Sequence, residues 1–102
     1  MMEHTMNTDG NHAVVSLSGK VYAHDAGIIR DELLKQIEKG IVEILIDLAD
    51  VSYIDSTGLG VLVTVHKRTK EYGGQLVLTG ITGMVAELLK RTRLDRVLTI
   101  QA

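Results

Sequence analysis

Apolar positions along the chain follow two periods, and the switches between them mark out the elements. His12 to Ser18 (His-Ala-Val-Val-Ser-Leu-Ser) is rich in β-branched residues and ends at Gly19, which predicts a strand followed by a turn. Asp25 to Lys39 places Ala26, Ile29, Leu33, Leu34 and Ile37 at three- and four-residue spacing, one face of a helix. Asp25 suits the start of that helix as a cap, and Gly40 suits the left-handed position after its end. Ile41 to Leu48 is nearly continuous in apolar residues, the pattern of a central strand covered on both faces. Val51 to Ile54 reads as a short apolar connection. A second helix opens at Asp55-Ser56-Thr57-Gly58 and reaches about Tyr72, where Gly73-Gly74 stops it. Gln75 to Thr79 predicts a third buried-type strand, and Gly80 to Arg93 a third helix with Val85, Leu88 and Leu89 inward. Val97 to Ile100 can form an edge strand.

Strand and helix therefore alternate at short spacing. That predicts an α/β fold with a mostly parallel sheet of four to five strands, right-handed crossovers, and an N-terminal strand joining antiparallel. No repeat, linker or low-complexity segment divides the chain, so one domain is expected over residues 1–102.

Composition narrows the chemistry. The chain has no cysteine, which excludes disulfides, thiol nucleophiles and cysteine-ligated metals. A formal net charge of −2 gives no general attraction to nucleic acid or anionic membrane. No apolar run approaches the roughly 20 residues of a membrane span, and the first residues lack the regions of a signal peptide. A cytoplasmic location is the expectation. Aromatics are limited to three tyrosines, so the core must be aliphatic and base-stacking modules are disfavoured.

Working loops of a parallel sheet lie outside the carboxyl ends of its strands. The loop after Leu48 leads straight into Asp55-Ser56-Thr57-Gly58-Leu59-Gly60. Either Asp55 or Ser56 simply caps the helix, worth about 1 kcal/mol, or this exposed turn is a site. On a helical wheel Gly58, Val61, Leu62, Val65, Thr69 and Tyr72 share the face that should pack on the sheet. Leu59 and Val63 fall off that face beside His66 and Lys70. They form either a contact patch for a partner or a pair covered by a neighbouring loop.

The run Ile46-Asp47-Leu48-Ala49-Asp50-Val51-Ser52-Tyr53-Ile54-Asp55-Ser56-Thr57-Gly58-Leu59-Gly60 resembles the signature of the STAS domain family, as found in bacterial anti-sigma factor antagonists. Ser16-Leu17-Ser18-Gly19-Lys20-Val21 sits at the family's strand–Gly–x–aliphatic turn. Leu89 to Ile100 is similar to its last helix and strand, so the resemblance spans nearly the whole chain. It implies that Ser56 is the phosphoacceptor of a serine kinase, supported by Asp55, Thr57 and Gly58. It implies an anti-sigma factor with kinase activity as one partner and a serine/threonine phosphatase as another. The unphosphorylated form would bind the anti-sigma factor and free the sigma factor. Leu59, Val63, His66, Lys70, Tyr22 and Asp25 are the expected partner-binding residues, and Leu59→Glu is expected to weaken the complex without unfolding the domain. One departure stands out: many members carry an acid after Gly-x-aliphatic, and here that position is Tyr22, with Asp25 three residues on.

Other constellations are weaker. His4, His12, His24 and His66 lack metal-ligand spacing and read as surface histidines. Ser56 lies in no nucleophile elbow, and Gly58-Leu59-Gly60 lacks the lysine of a phosphate loop. Lys90, Arg91, Arg93 and Arg96 read as a solvated helix end complementing the dipole. The expectation is a non-enzymatic switch without cofactor or metal. The alternatives are a STAS scaffold or regulatory subunit of a stressosome or lipid-transport complex, or, from another class, a small nucleotide- or lipid-binding enzyme.

Overall fold

The computed structural model describes residues 2–101. Its elements are β1 (Glu3–Asp9), β2 (His12–Val21), α1 (Ala23–Glu38), β3 (Glu43–Ile54), α2 (Ser56–Glu71), β4 (Gln75–Thr79), α3 (Gly83–Arg91), a 3-10 turn (Leu94–Arg96) and β5 (Thr99–Ile100). The five strands form one sheet in the order β1-β2-β3-β4-β5. β1 is antiparallel to β2, and every later pair is parallel. The α/β class and the mostly parallel sheet are as the alternation of periods requires.

Three differences have physical causes. The antiparallel strand is β1, which the sequence pattern did not reveal, whereas His12–Val21 runs parallel to β3. β1 is a polar edge strand in which only His4 and Met6 are half-buried, along with Met2 just before it. Val51 to Ile54 is strand, not connection: irregularities between Ser16 and Ser18 and between Gly19 and Lys20 keep β2 paired with β3 up to Val21 and Ile54. β3 is also not covered equally on both faces. Ile44, Ile46 and Leu48 are buried, while Glu43, Leu45 and Asp47 on the opposite face are half-buried. With β2 to β5 in sequential order, right-handed crossovers carry α1, α2 and α3 to the same face.

That covered face holds the core. Ala13, Val15 and Leu17 from β2, Ile44, Ile46 and Leu48 from β3, and Leu76 and Leu78 from β4 meet Ala26, Ile29, Leu33 and Ile37 of α1. α2 and α3 contribute Val61, Leu62, Val65, Val85 and Leu89; Leu88 is only half-buried. The core contains no aromatic residue.

Helix ends follow local chemistry. At the end of α1 the Gly40 N–H donates to Ile37 O and the Ile41 N–H to Gln36 O, with Gly40 at φ 95°, as its place after the helix predicted. The end of α2 repeats the motif: Gly73 donates to Lys70 O and Gly74 to Thr69 O. α1 starts at Ala23, two residues earlier than expected. Asp25 is therefore not the cap residue; it sits in the first turn, and its carboxylate accepts the Tyr22 backbone N–H at 3.2 Å.

Candidate functional site

The carboxyl end of β3 delivers the chain directly into α2. Asp55 is the N-cap, extended at φ −98°, and its Oδ1 accepts the Gly58 N–H at 3.0 Å while its carbonyl accepts the Leu59 N–H. Ser56 is the first residue inside the helix, and both it and Thr57 are exposed. Gly58 is buried, and the reason is steric: a Cβ there would stand 2.5 Å from Ile54 Cγ1, 2.9 Å from Ile54 Cδ1 and 3.5 Å from Val21 Cγ1. The absent side chain lets the first turn of α2 rest directly on the ends of β2 and β3. Ser56 is thus presented on a braced turn, at a helix end whose N–H dipoles favour negative charge.

The register brings other residues to the same edge. Val21 pairs with Ile54, so Tyr22, just beyond β2, lies close to the start of α2, and Asp25 is tied to Tyr22 through its backbone N–H. Tyr22 and Tyr53 are both exposed, and their rings stack with centroids 5.4 Å apart at 44°. Tyr53 was not singled out from the sequence. Its signal was available: one of only three aromatic residues, three positions before Ser56.

Two expected contact residues are placed differently. Leu59 is 5% exposed and belongs to the core, and His66 is 7% exposed rather than a surface histidine. α2 packs on the sheet and also against α1, so its buried arc covers about 160° of the wheel and takes in both residues. Tyr72 departs the other way: it caps the helix end and is exposed. Val63 is half-buried and Lys70 exposed. Lys70 lies about 20 Å from Ser56 along the helix axis at 1.5 Å per residue, so the fold does not bring those two together.

Burial pushes the His66 imidazole pKa below its ordinary value, with Lys70 and then Lys67 adding repulsion against a second positive charge. Its Nδ1 is buried without a hydrogen-bond partner. His4, by contrast, reaches Glu32 on α1 at 3.0 Å. Among the described residues no group of three or more His, Cys, Asp or Glu side chains could hold a metal ion. No helix among them is long and apolar enough to cross a membrane. The basic side chains at the end of α3 and just after it line an open depression of about 520 Å³ with Glu87 and Asp95, so acids and bases are interleaved there.

A family model described as the STAS domain matches residues 3–102. The chain belongs to the STAS domain family. The anti-sigma-B factor antagonist of Bacillus subtilis (strain 168) is 36% identical over 92 residues, which covers 90% of this chain and 84% of that one. The protein of the same name from Listeria monocytogenes is 35% identical over 94 residues, covering 91% and 82%. Among solved STAS-like folds, the Bacillus cell fate determinant SpoIIAA in its phosphorylated form superposes with a TM-score of 0.80 at 17% identity, covering 98% of this chain and 92% of that one. This STAS domain therefore shares sequence over most of its length with proteins named as antagonists of anti-sigma factors, and its fold with one solved carrying phosphate.

Proposed function

We propose that this STAS domain is an anti-sigma factor antagonist whose binding is switched off by phosphorylation of Ser56. The observation that carries the reading is the exposed Ser56 hydroxyl on the first turn of α2, held by the Asp55 cap and by Gly58 packed on Ile54. The names of the relatives, at 35% and 36% identity over most of the chain, support the class of partner. In the transfer step Ser56 Oγ forms a bond to the γ-phosphorus of ATP on a partner kinase. The bond to ADP breaks, and the hydroxyl proton leaves to a base of that kinase. This chain is then the substrate of the reaction rather than its catalyst, acting in the cytoplasm where the transcription machinery works. A serine/threonine phosphatase reverses the step.

The electrostatics support a switch that needs no refolding. Phosphate adds about −1.5 to −2 charges, and the Asp55 carboxylate already occupies the Gly58 N–H beside it. A partner surface fitted to a neutral hydroxyl would meet a bulky dianion. Losing a thousandfold in affinity takes only about 4 kcal/mol, which steric exclusion and an unpaired desolvated charge supply.

The test pairs phosphopeptide mapping of the chain from its own host with binding of the co-isolated anti-sigma factor. Ser56→Ala should bind constitutively, and Ser56→Asp should bind at least about tenfold more weakly. Equal affinity of the two variants, or an unmodified Ser56 with STAS proteins or a transporter as partners, would replace the switch with a constitutive scaffold.

A further inference from the structure

The core of this protein is built without aromatic residues, and all three tyrosines are surface residues. Two of them are placed together. Tyr22 is 46% exposed and Tyr53 is 36% exposed, yet their rings are in contact with each other. Exposed rings that contribute little to the core, gathered at one edge, are the composition of a binding hot spot rather than of a fold determinant.

The backbone beneath them is fixed from several directions. Lys20 pairs with Tyr53 and Val21 with Ile54, so the two rings project from neighbouring strand ends. Ser52 Oγ donates to Gly19 O at 3.4 Å across the same two strands. The Tyr22 N–H is held by the Asp25 carboxylate. Val21 and Ile54, one residue away from each tyrosine, are buried and lie under the turn that Gly58 seats. Tyr22, Tyr53 and Ser56 therefore share one rigid edge. Rings ordered in advance give up little side-chain freedom on binding, which is how a small patch gains affinity.

We infer that Tyr22 and Tyr53 form a single aromatic anchor that docks the kinase acting on Ser56, through an apolar pocket on the kinase. The inference rests on the switch reading of Ser56 and adds to it the means of recognition. The charged residues within three positions of the two tyrosines are Lys20, Asp25, Asp50 and Asp55, one base to three acids.

The test measures Ser56 phosphate occupancy by mass spectrometry in the native host for the unaltered chain and for Tyr22→Ser, Tyr53→Ser, Tyr22→Phe and, as a distant control, Tyr72→Ser. Both Tyr→Ser changes at the anchor should lower occupancy by about tenfold or more, with unchanged thermal melts. Tyr22→Phe and Tyr72→Ser should leave it within about twofold. Normal phosphorylation of both anchor variants would overturn the anchor and leave the switch standing. An absence of phosphate on Ser56 in the unaltered chain under every growth condition would remove both. Conversion of a dimer of the free chain to a monomer by the same substitutions would assign the rings to a self-contact and overturn the inference.

Discussion

All three helices of this protein begin at the carboxyl edge of the parallel strands, and the starts of α2 and α3 are built differently. α2 opens on Asp55, whose carboxylate caps the helix, and rests through Gly58 on Ile54 and Val21. α3 opens on Thr82, whose hydroxyl makes no cap hydrogen bond, after Gly80 at φ 70° and before Gly83 at φ 56°. An added Cβ at Gly83 would meet nothing within 4 Å, whereas the one at Gly58 would collide with a buried isoleucine. Both starts carry an exposed hydroxyl and both carry a helix dipole. What separates them is where the close packing falls: inside the first helical turn at Gly58 for α2, and ahead of the helix at Gly80, where a Cβ would meet Ala49 and Asp47, for α3.

Matched substitutions at the two starts should therefore diverge, most of all in the first turn. Leu59→Glu puts a carboxylate where the side chain is 5% exposed, and should cost about 3 kcal/mol or more, lowering the urea midpoint sharply or abolishing the folded state. Met84→Glu, at a residue 40% exposed near the start of α3, should shift the midpoint by less than about 0.5 kcal/mol. A stable, fully folded Leu59→Glu protein would return Leu59 to the surface. Gly58→Ala comes next: overpacking against Ile54 should cost about 1 to 3 kcal/mol by denaturant titration. Gly83→Ala faces only the left-handed backbone, at about 1 kcal/mol.

Asp55→Ala removes a cap that donors actually use and should destabilise by about 1 kcal/mol. Thr82→Ala removes no cap bond and should be close to neutral in the same melt. The smallest effect concerns pH. The His66 pKa is lower in the folded chain than in the unfolded one, so the unfolded chain takes up the proton first as pH falls. His66 should therefore contribute no pH dependence well above its ordinary value of about 6.5. Stability should then decline as pH drops below that value, and the decline should end once the folded imidazole also protonates. His66→Leu should flatten that slope in urea titrations between about pH 7 and about pH 5; an unchanged slope would assign the dependence to other groups.

Much of this was legible in the chain. The helix stops at Gly40 and Gly73-Gly74 and the order of strands and helices follow from local periodicity and glycine placement, because those signals act over a few residues. The cap of α2 was legible as Asp55 or Ser56 for the same reason, and the structure assigns it to Asp55. β1 was not, because an edge strand buries one face only slightly and Glu3–Asp9 carries no apolar run. Leu59 and His66 were misplaced because a wheel drawn for one supporting surface does not know that α1 packs alongside. Tyr53 escaped notice because its partner ring, Tyr22, lies 31 positions earlier in sequence and is brought to it only by strand register.

The sequential parallel order also sorts the chain's turns by position. The loop that carries Ser56 leaves the carboxyl end of β3, whereas Gly10-Asn11, Gly40 and Gly73-Gly74 enter strands at the opposite end. The body measures 32 × 28 × 21 Å along its axes. A fluorophore or fused reporter carried at Lys39, exposed at the end of α1 with an ordinary φ of −82°, would stand most of that length from Ser56. The proposed switch at Ser56 could then be followed in real time from the far end of the sheet.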